Sequence, residues 1–127
     1  MAQILLVEDN HHNRELFKAT LRHYGHEVLV ACDGEMGLAM VHEQRPDLVV
    51  LDLSLPKIDG WTVARRIRED NDARVAALPI LALTAHAMRG DRERALEAGC
   101  DDYLAKPVSP RELGRRVGKL MADASAA

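Results

Sequence analysis

The chain has 127 residues, 47% of them hydrophobic but only 3% aromatic, and a formal net charge of −3. That is one ordinary domain's worth of chain, with a core built mainly from Leu, Val, Ile and Ala. A globally basic nucleic-acid binder would carry the opposite charge balance, no apolar run approaches membrane-spanning length, and Cys32 and Cys100 form neither a CxxC motif nor a disulfide scaffold, which points to a reducing, cytoplasmic compartment.

Met1 leads almost at once into the apolar run Ile4-Leu5-Leu6-Val7, so no signal peptide is expected. Glu8-Asp9-Asn10 ends that strand, and Asn10 caps a helix whose apolar face is Leu16, Phe17, Thr20, Leu21 and Tyr24, closed by Gly25. Val28 to Ala31 reads as a second strand. Asp33-Gly34 opens a second helix with Leu38 and Val41 inward, stopped before Pro46. Leu48-Val49-Val50-Leu51 is an unbroken apolar run that stops at Asp52, as expected of a strand covered on both faces. Pro56 and Gly60 bound the loop that follows, and Asp59 caps a helix with Trp61, Ala64 and Ile67 at helical spacing. The polar, alanine-rich stretch 70–78 gives no clear helix end.

Pro79 to Thr84 is a fourth strand ending in a hydroxyl, followed by a helix up to Ala98 that Gly90 weakens and Gly99 closes. Asp102 to Ala105 is a short fifth strand, followed by Lys106-Pro107. Ser109, Pro110 and Glu112 form a capping box before a last helix with Leu113, Val117, Leu120 and Met121 as its stripe. A domain over 1–122 and a short flexible Ala/Ser tail over 123–127 are expected. Five strands alternating with five helices predict an α/β fold, a doubly wound five-stranded parallel sheet of flavodoxin-like order 2-1-3-4-5.

In such a sheet the carboxyl ends of the strands share one edge, where ligands bind. Glu8 and Asp9 end the first strand, Asp52 the third, Thr84 the fourth and Lys106 the fifth. Each alone is an ordinary cap, strand end or surface charge. With neighbouring strands about 4.8 Å apart they converge on one cleft. Three carboxylates raise one another's pKa or recruit a cation, and an all-oxygen set with open positions suits Mg²⁺ and phosphate together. One carboxylate can then act as a nucleophile towards phosphorus, with Lys106 and the Thr84 hydroxyl holding phosphoryl oxygens.

Val7-Glu8-Asp9-Asn10, Leu51 to Gly60, Leu83-Thr84-Ala85 and Tyr103-Leu104-Ala105-Lys106-Pro107 together resemble the receiver domain of bacterial two-component response regulators. The resemblance covers essentially the whole chain. The stretches from Leu83 to Asp91 and from Gly99 to Tyr103 look most like single-domain regulators of the DivK type and like receivers of hybrid histidine kinases. The resemblance implies that Asp52 accepts a phosphoryl group from a histidine kinase or a histidine phosphotransfer protein. It implies that Asp9 and Asp52 ligate Mg²⁺, with Glu8 acting through water and the Ser54 carbonyl completing the set. It further implies that Thr84 and Lys106 bind phosphoryl oxygens, that Tyr103 is the switch aromatic, and that Lys106-Pro107 is cis. Glu8 stands where some members carry aspartate.

The expected function is a stand-alone, phosphorylation-controlled binding switch rather than an enzyme in its own right. Its output is expected through contact of the 88–121 face with a downstream protein, without nucleic acid or membrane, since the chain ends soon after the fifth helix. The alternatives are a receiver of a hybrid-kinase phosphorelay, a small aspartyl-phosphate phosphotransferase or phosphatase, and a passive phosphate sink. Secondary signals are His11-His12, read as a solvated helical turn, and Trp61, read as a packing residue and fluorescence reporter. His86 and Ser54 are candidates for tuning phosphate lifetime, and Arg89, Arg92 and Arg94, interleaved with Glu93 and Glu97, are read as a solvated face.

Overall fold

The computed structural model describes residues 2–85 and 90–126. Five parallel strands, β1 (Gln3–Val7), β2 (Glu27–Ala31), β3 (Leu48–Asp52), β4 (Ile80–Thr84) and β5 (Asp102–Ala105), form one sheet in the order β2-β1-β3-β4-β5. This is the expected doubly wound flavodoxin-like arrangement. Six helices cover it: α1 (His11–His23), α2 (Gly34–Gln44), α3 (Gly60–Arg68), α4 (Ala73–Ala76), α5 (Asp91–Glu97) and α6 (Pro110–Ala126).

Strand side chains alternate between two cores, because successive residues point to opposite faces. Ile4, Leu6, Val50, Leu81 and Leu83 pack on one face with Phe17 and Leu21 of α1 and Leu113 and Val117 of α6. Leu5, Val7, Val49, Leu51 and Ala82 pack on the other with Val41 of α2, Val63, Ala64 and Ile67 of α3, Val75 of α4 and Ala95 of α5. Every residue of β3 and β4 is buried, which is why those two read as unbroken apolar runs.

The predicted caps are in place at three helices. Asn10 accepts from Asn13 N at 2.9 Å, Asp33 from Met36 N at 2.8 Å and Asp59 from Thr62 N at 2.8 Å. At α6 the Ser109 hydroxyl accepts from Glu112 N at 3.3 Å, while the Glu112 carboxylate engages Arg115 and Arg116.

Four details differ from the sequence reading. Leu16 and Tyr24 do not join the buried stripe of α1, which is Phe17, Thr20 and Leu21. Leu16 sits about 100° around the helix from Phe17. The Tyr24 ring instead lies over Gly114 of α6, where a Cβ would come within 2.3 Å of it. The stretch 70–78 holds the short α4, capped by Asp72 through Arg74 N at 2.9 Å and anchored by buried Val75. Finally, α6 continues through Ala126 and takes in most of the expected tail, since no Gly or Pro follows Gly118 and alanine is the strongest helix former.

Candidate functional site

Backbone pairing carries the strand ends one residue beyond the strands themselves. Glu8 N donates to Ala31 O at 3.0 Å, Leu53 N to Leu83 O at 2.8 Å and Lys106 N to Thr84 O at 2.7 Å. The first polar residues after β1 and β5, together with Asp52 at the end of β3, therefore sit on a rigid edge rather than on free loops. Ligand atoms of Glu8, Asp9 and Asp52 lie within 4.8 Å of one another. Glu8 is fully buried, Asp52 is 2% exposed and Asp9 opens to solvent.

Lys106 comes across from β5. Its Nζ lies 2.9 Å from Glu8 Oε1 and 3.4 Å from Asp52 Oδ2. One ammonium cannot neutralise three carboxylates. Burial pushes the Glu8 carboxyl up to about 7, its contact with Asp52 adds to that, and Lys106 only partly offsets both. The site is thus an oxygen-rich, electron-rich pocket short of positive charge. That donor set fits a hard divalent cation, and Glu8, Asp9 and Asp52 are the residues that could hold one.

The loop after β3 is fixed around Asp52. Ser54 N donates to Asp52 Oδ1 at 3.0 Å, and Gly60 N donates to Leu53 O at 3.2 Å. A Cβ at Gly60 would fall 2.4 Å from Asp52 O and 2.5 Å from Leu53 Cα, so only glycine lets α3 start this close to the end of β3. Lys57 in the same loop adopts φ 63°, and the Lys106-Pro107 peptide is cis.

Thr84 is buried at the end of β4, one residue beyond Leu83, the register partner of Asp52. Tyr103 pairs with Ala82 and is partly buried against the core under α2–α5. Burial, and then the charge of Asp91, raises its hydroxyl above the ordinary tyrosine range. Asp91, itself buried in the first turn of α5, was not singled out by the sequence, where it reads as a helix-start acid.

The remaining described candidates do not join the carboxylate cluster through their side chains. The Ser54 side chain is exposed, as are His11 and His12. Trp61 is half-buried, with the Arg94 guanidinium 4.6 Å from its ring centroid. His86, Met88 and Arg89 lie outside the described residues. Beside Lys106 a groove of about 380 Å³ opens between α1 and the segment after β5, lined by Asn13, Leu16, Phe17, Ala85, Pro107 and Val108. Sequence reasoning missed Arg14, whose Nη1 donates to the carbonyls of Glu8 and Asp9 at 3.3 and 3.4 Å.

Comparison with known proteins gives concordant results. Residues 4–118 match the family described as the response regulator receiver domain. The transcriptional regulatory protein AfsQ1 of Streptomyces coelicolor is 46% identical over 117 residues, which are 92% of this chain and 50% of that protein. The polar-differentiation response regulator DivK of Brucella anthropi is 34% identical over 121 residues, covering 95% of this chain and 97% of that one. Among solved structures, the receiver domain of the sensor histidine kinase PA1611 from Pseudomonas aeruginosa PAO1, with a magnesium ion coordinated in its active-site cleft, superposes with a TM-score of 0.87. It shows 40% identity and covers 95% of this chain and 98% of its own. The chain spans about half the length of the transcriptional regulators it matches. No helix among the described residues is long and apolar enough to cross a membrane.

Proposed function

The chain belongs to the response regulator receiver family of two-component signalling, and from that premise we propose that it is a stand-alone phosphorylation switch with Asp52 as acceptor. The observation that carries the reading is the grouping of Glu8, Asp9 and Asp52 within 4.8 Å of one another, with the Lys106 ammonium on Glu8 and Asp52. Asp9 and Asp52, with Glu8 through water and the Ser54 carbonyl, would hold Mg²⁺, which when bound supplies charge neutralisation for the incoming phosphoryl group.

An Asp52 carboxylate oxygen attacks phosphorus. The new O–P bond forms as the N–P bond of a phosphohistidine donor breaks, and the departing imidazole takes a proton from water. Burial strips Asp52 of competing solvent, and the bond from Ser54 N orients one of its oxygens. Lys106 exchanges its contact with Asp52 for a phosphoryl oxygen, and the Thr84 hydroxyl donates to another. The new contacts favour one of two arrangements of Thr84, α5 and Tyr103. The donor is a histidine kinase or a histidine phosphotransfer protein. The partner that reads the change binds the face of α5, β5 and α6, where Arg116 holds Asp102 through two bonds of 2.8 and 2.9 Å and Leu96 is exposed.

A receiver of a hybrid-kinase phosphorelay is the second reading, favoured by the 40% identity to the PA1611 receiver. Intact mass after incubation with acetyl phosphate and Mg²⁺ tests the acceptor. One added phosphoryl group is expected in wild type and none in Asp52→Asn or in EDTA. An adduct that persists in Asp52→Asn would move the acceptor elsewhere.

A further inference from the structure

Arg14 sits in the first turn of α1, with its own N bonded to Asn10 O at 2.9 Å. The aligned peptide dipoles of a helix disfavour a cation there, and no acidic side chain accompanies it in that turn. The guanidinium points back towards the strand, as helical side chains do. Nη1 donates to Glu8 O at 3.3 Å and to Asp9 O at 3.4 Å, and Nη2 donates to His11 Nδ1 at 3.1 Å. Arginine has no acceptor, so His11 accepts in this contact. The two carbonyls precede the cap residue Asn10. They belong to the peptide units from which two of the three clustered carboxylates hang. The opposite side of the same turn is held by Glu8 N on Ala31 O and by Asn10 N on Glu8 Oε2 at 3.3 Å.

We propose that Arg14 is a positioning residue for divalent-cation binding: its guanidinium, with Nη1 shared between the Glu8 and Asp9 carbonyls and Nη2 on His11, fixes the turn that aims their carboxylates at Asp52. The inference rests on the reading of this site as a Mg²⁺ site. It sets two effects of one side chain against each other. Holding the turn pre-organises the ligands and tightens cation binding. The positive charge repels the cation and weakens it. Both carbonyl bonds come from Nη1 while Nη2 holds His11, and the single nitrogen of lysine cannot occupy both places.

Mg²⁺ dissociation constants measured by calorimetry on the whole chain, with urea midpoints in EDTA, decide the matter. Wild type is compared with Arg14→Ala, Arg14→Lys and Arg115→Ala, the last removing the same charge from the exposed surface of α6. Arg14→Ala is expected to bind Mg²⁺ about tenfold more weakly while its urea midpoint in EDTA stays close to wild type. Arg14→Lys falls between the two, and Arg115→Ala matches wild type. Binding by Arg14→Ala as tight as wild type or tighter would overturn the inference, since repulsion would then outweigh positioning. Equal weakening in Arg115→Ala would overturn it too: losing a distant positive charge can only favour the cation, so the loss would not be specific to the turn that Arg14 holds. If Arg14→Ala does not fold, Arg14→Lys decides alone, weaker binding supporting the role and unchanged binding ending it. A wild-type chain that takes no Mg²⁺ would first remove the reading of the site, and the role of Arg14 with it.

Discussion

Lys106 holds Glu8 and Asp52 at 2.9 and 3.4 Å with a single ammonium, while both acids are withdrawn from water. Removing one partner of a buried ion pair costs about 3–5 kcal/mol when the other stays charged. Glu8, already raised to about 7 by burial, can instead take up a proton. Lys106→Ala is therefore expected to remain folded, with a loss in urea titration nearer about 3 kcal/mol, and to accept phosphate from acetyl phosphate at least about tenfold more slowly. An unchanged phosphorylation rate would remove Lys106 from the phosphoryl contacts. Gly60 and Gly118 form a matched pair. Gly60→Ala drives a methyl into the backbone of Asp52 and Leu53 and is expected to cost about 3 kcal/mol. Gly118→Ala meets nothing within 4 Å in a helix interior and is expected to stabilise by about 0.5–1 kcal/mol. Equal effects on thermal denaturation would contradict the packing at Gly60. The clustered residues were legible because each acid or ammonium is at or just past the end of an apolar run. Arg14 was not, because a side chain acting on backbone carbonyls leaves no pattern in residue types.

At the scale of elements, the strands were legible almost to the residue, because burial on both faces writes unbroken runs of Leu, Val and Ile. The short α4 was not. Besides its Asp72 cap and buried Val75, it is tied down by Arg68 of α3, which donates to Ala76 O at 3.0 Å and Leu78 O at 2.6 Å and pairs with Asp101 at 2.6 Å, tertiary contacts invisible in the polar stretch itself. The end of α2 is tied to the same region by Arg45–Asp72 at 2.8 Å and by His42. The two ring nitrogens of His42 face Leu38 O at 3.0 Å and Asp70 Oδ2 at 2.6 Å. Two acceptors favour the imidazolium, so the Leu38 carbonyl and then Asp70 raise the pKa of His42, against burial and the charge of Arg45. A raised histidine contributes stability that is full below its unfolded pKa of about 6.5 and is lost as pH rises through the folded value. His42 is half-exposed, so the effect on stability is small. NMR titration should find His42 titrating above an ordinary histidine and returning towards it in Asp70→Asn; a His42 pKa identical in the two proteins would remove the contact from solution.

At the scale of the molecule, the sheet separates two tasks. Asp52 lies at the end of the central strand, and Thr84 and Tyr103 lie on the two strands leading away from it towards α5 and α6. Thr84→Ala is therefore expected to keep accepting phosphate on Asp52 while losing most of the change in partner affinity. Equal partner affinity before and after phosphorylation of wild type would contradict a switch of this kind. The amides of Glu8, Leu53 and Lys106, locked onto neighbouring strands just where the ladders end, carry a kinetic consequence. Strand ends ordinarily fray, and their amides exchange with deuterium in shallow local openings. Here three sit beside buried side chains, so they should exchange as slowly as the middle of the sheet, surrendering their protons only when the entire domain unfolds.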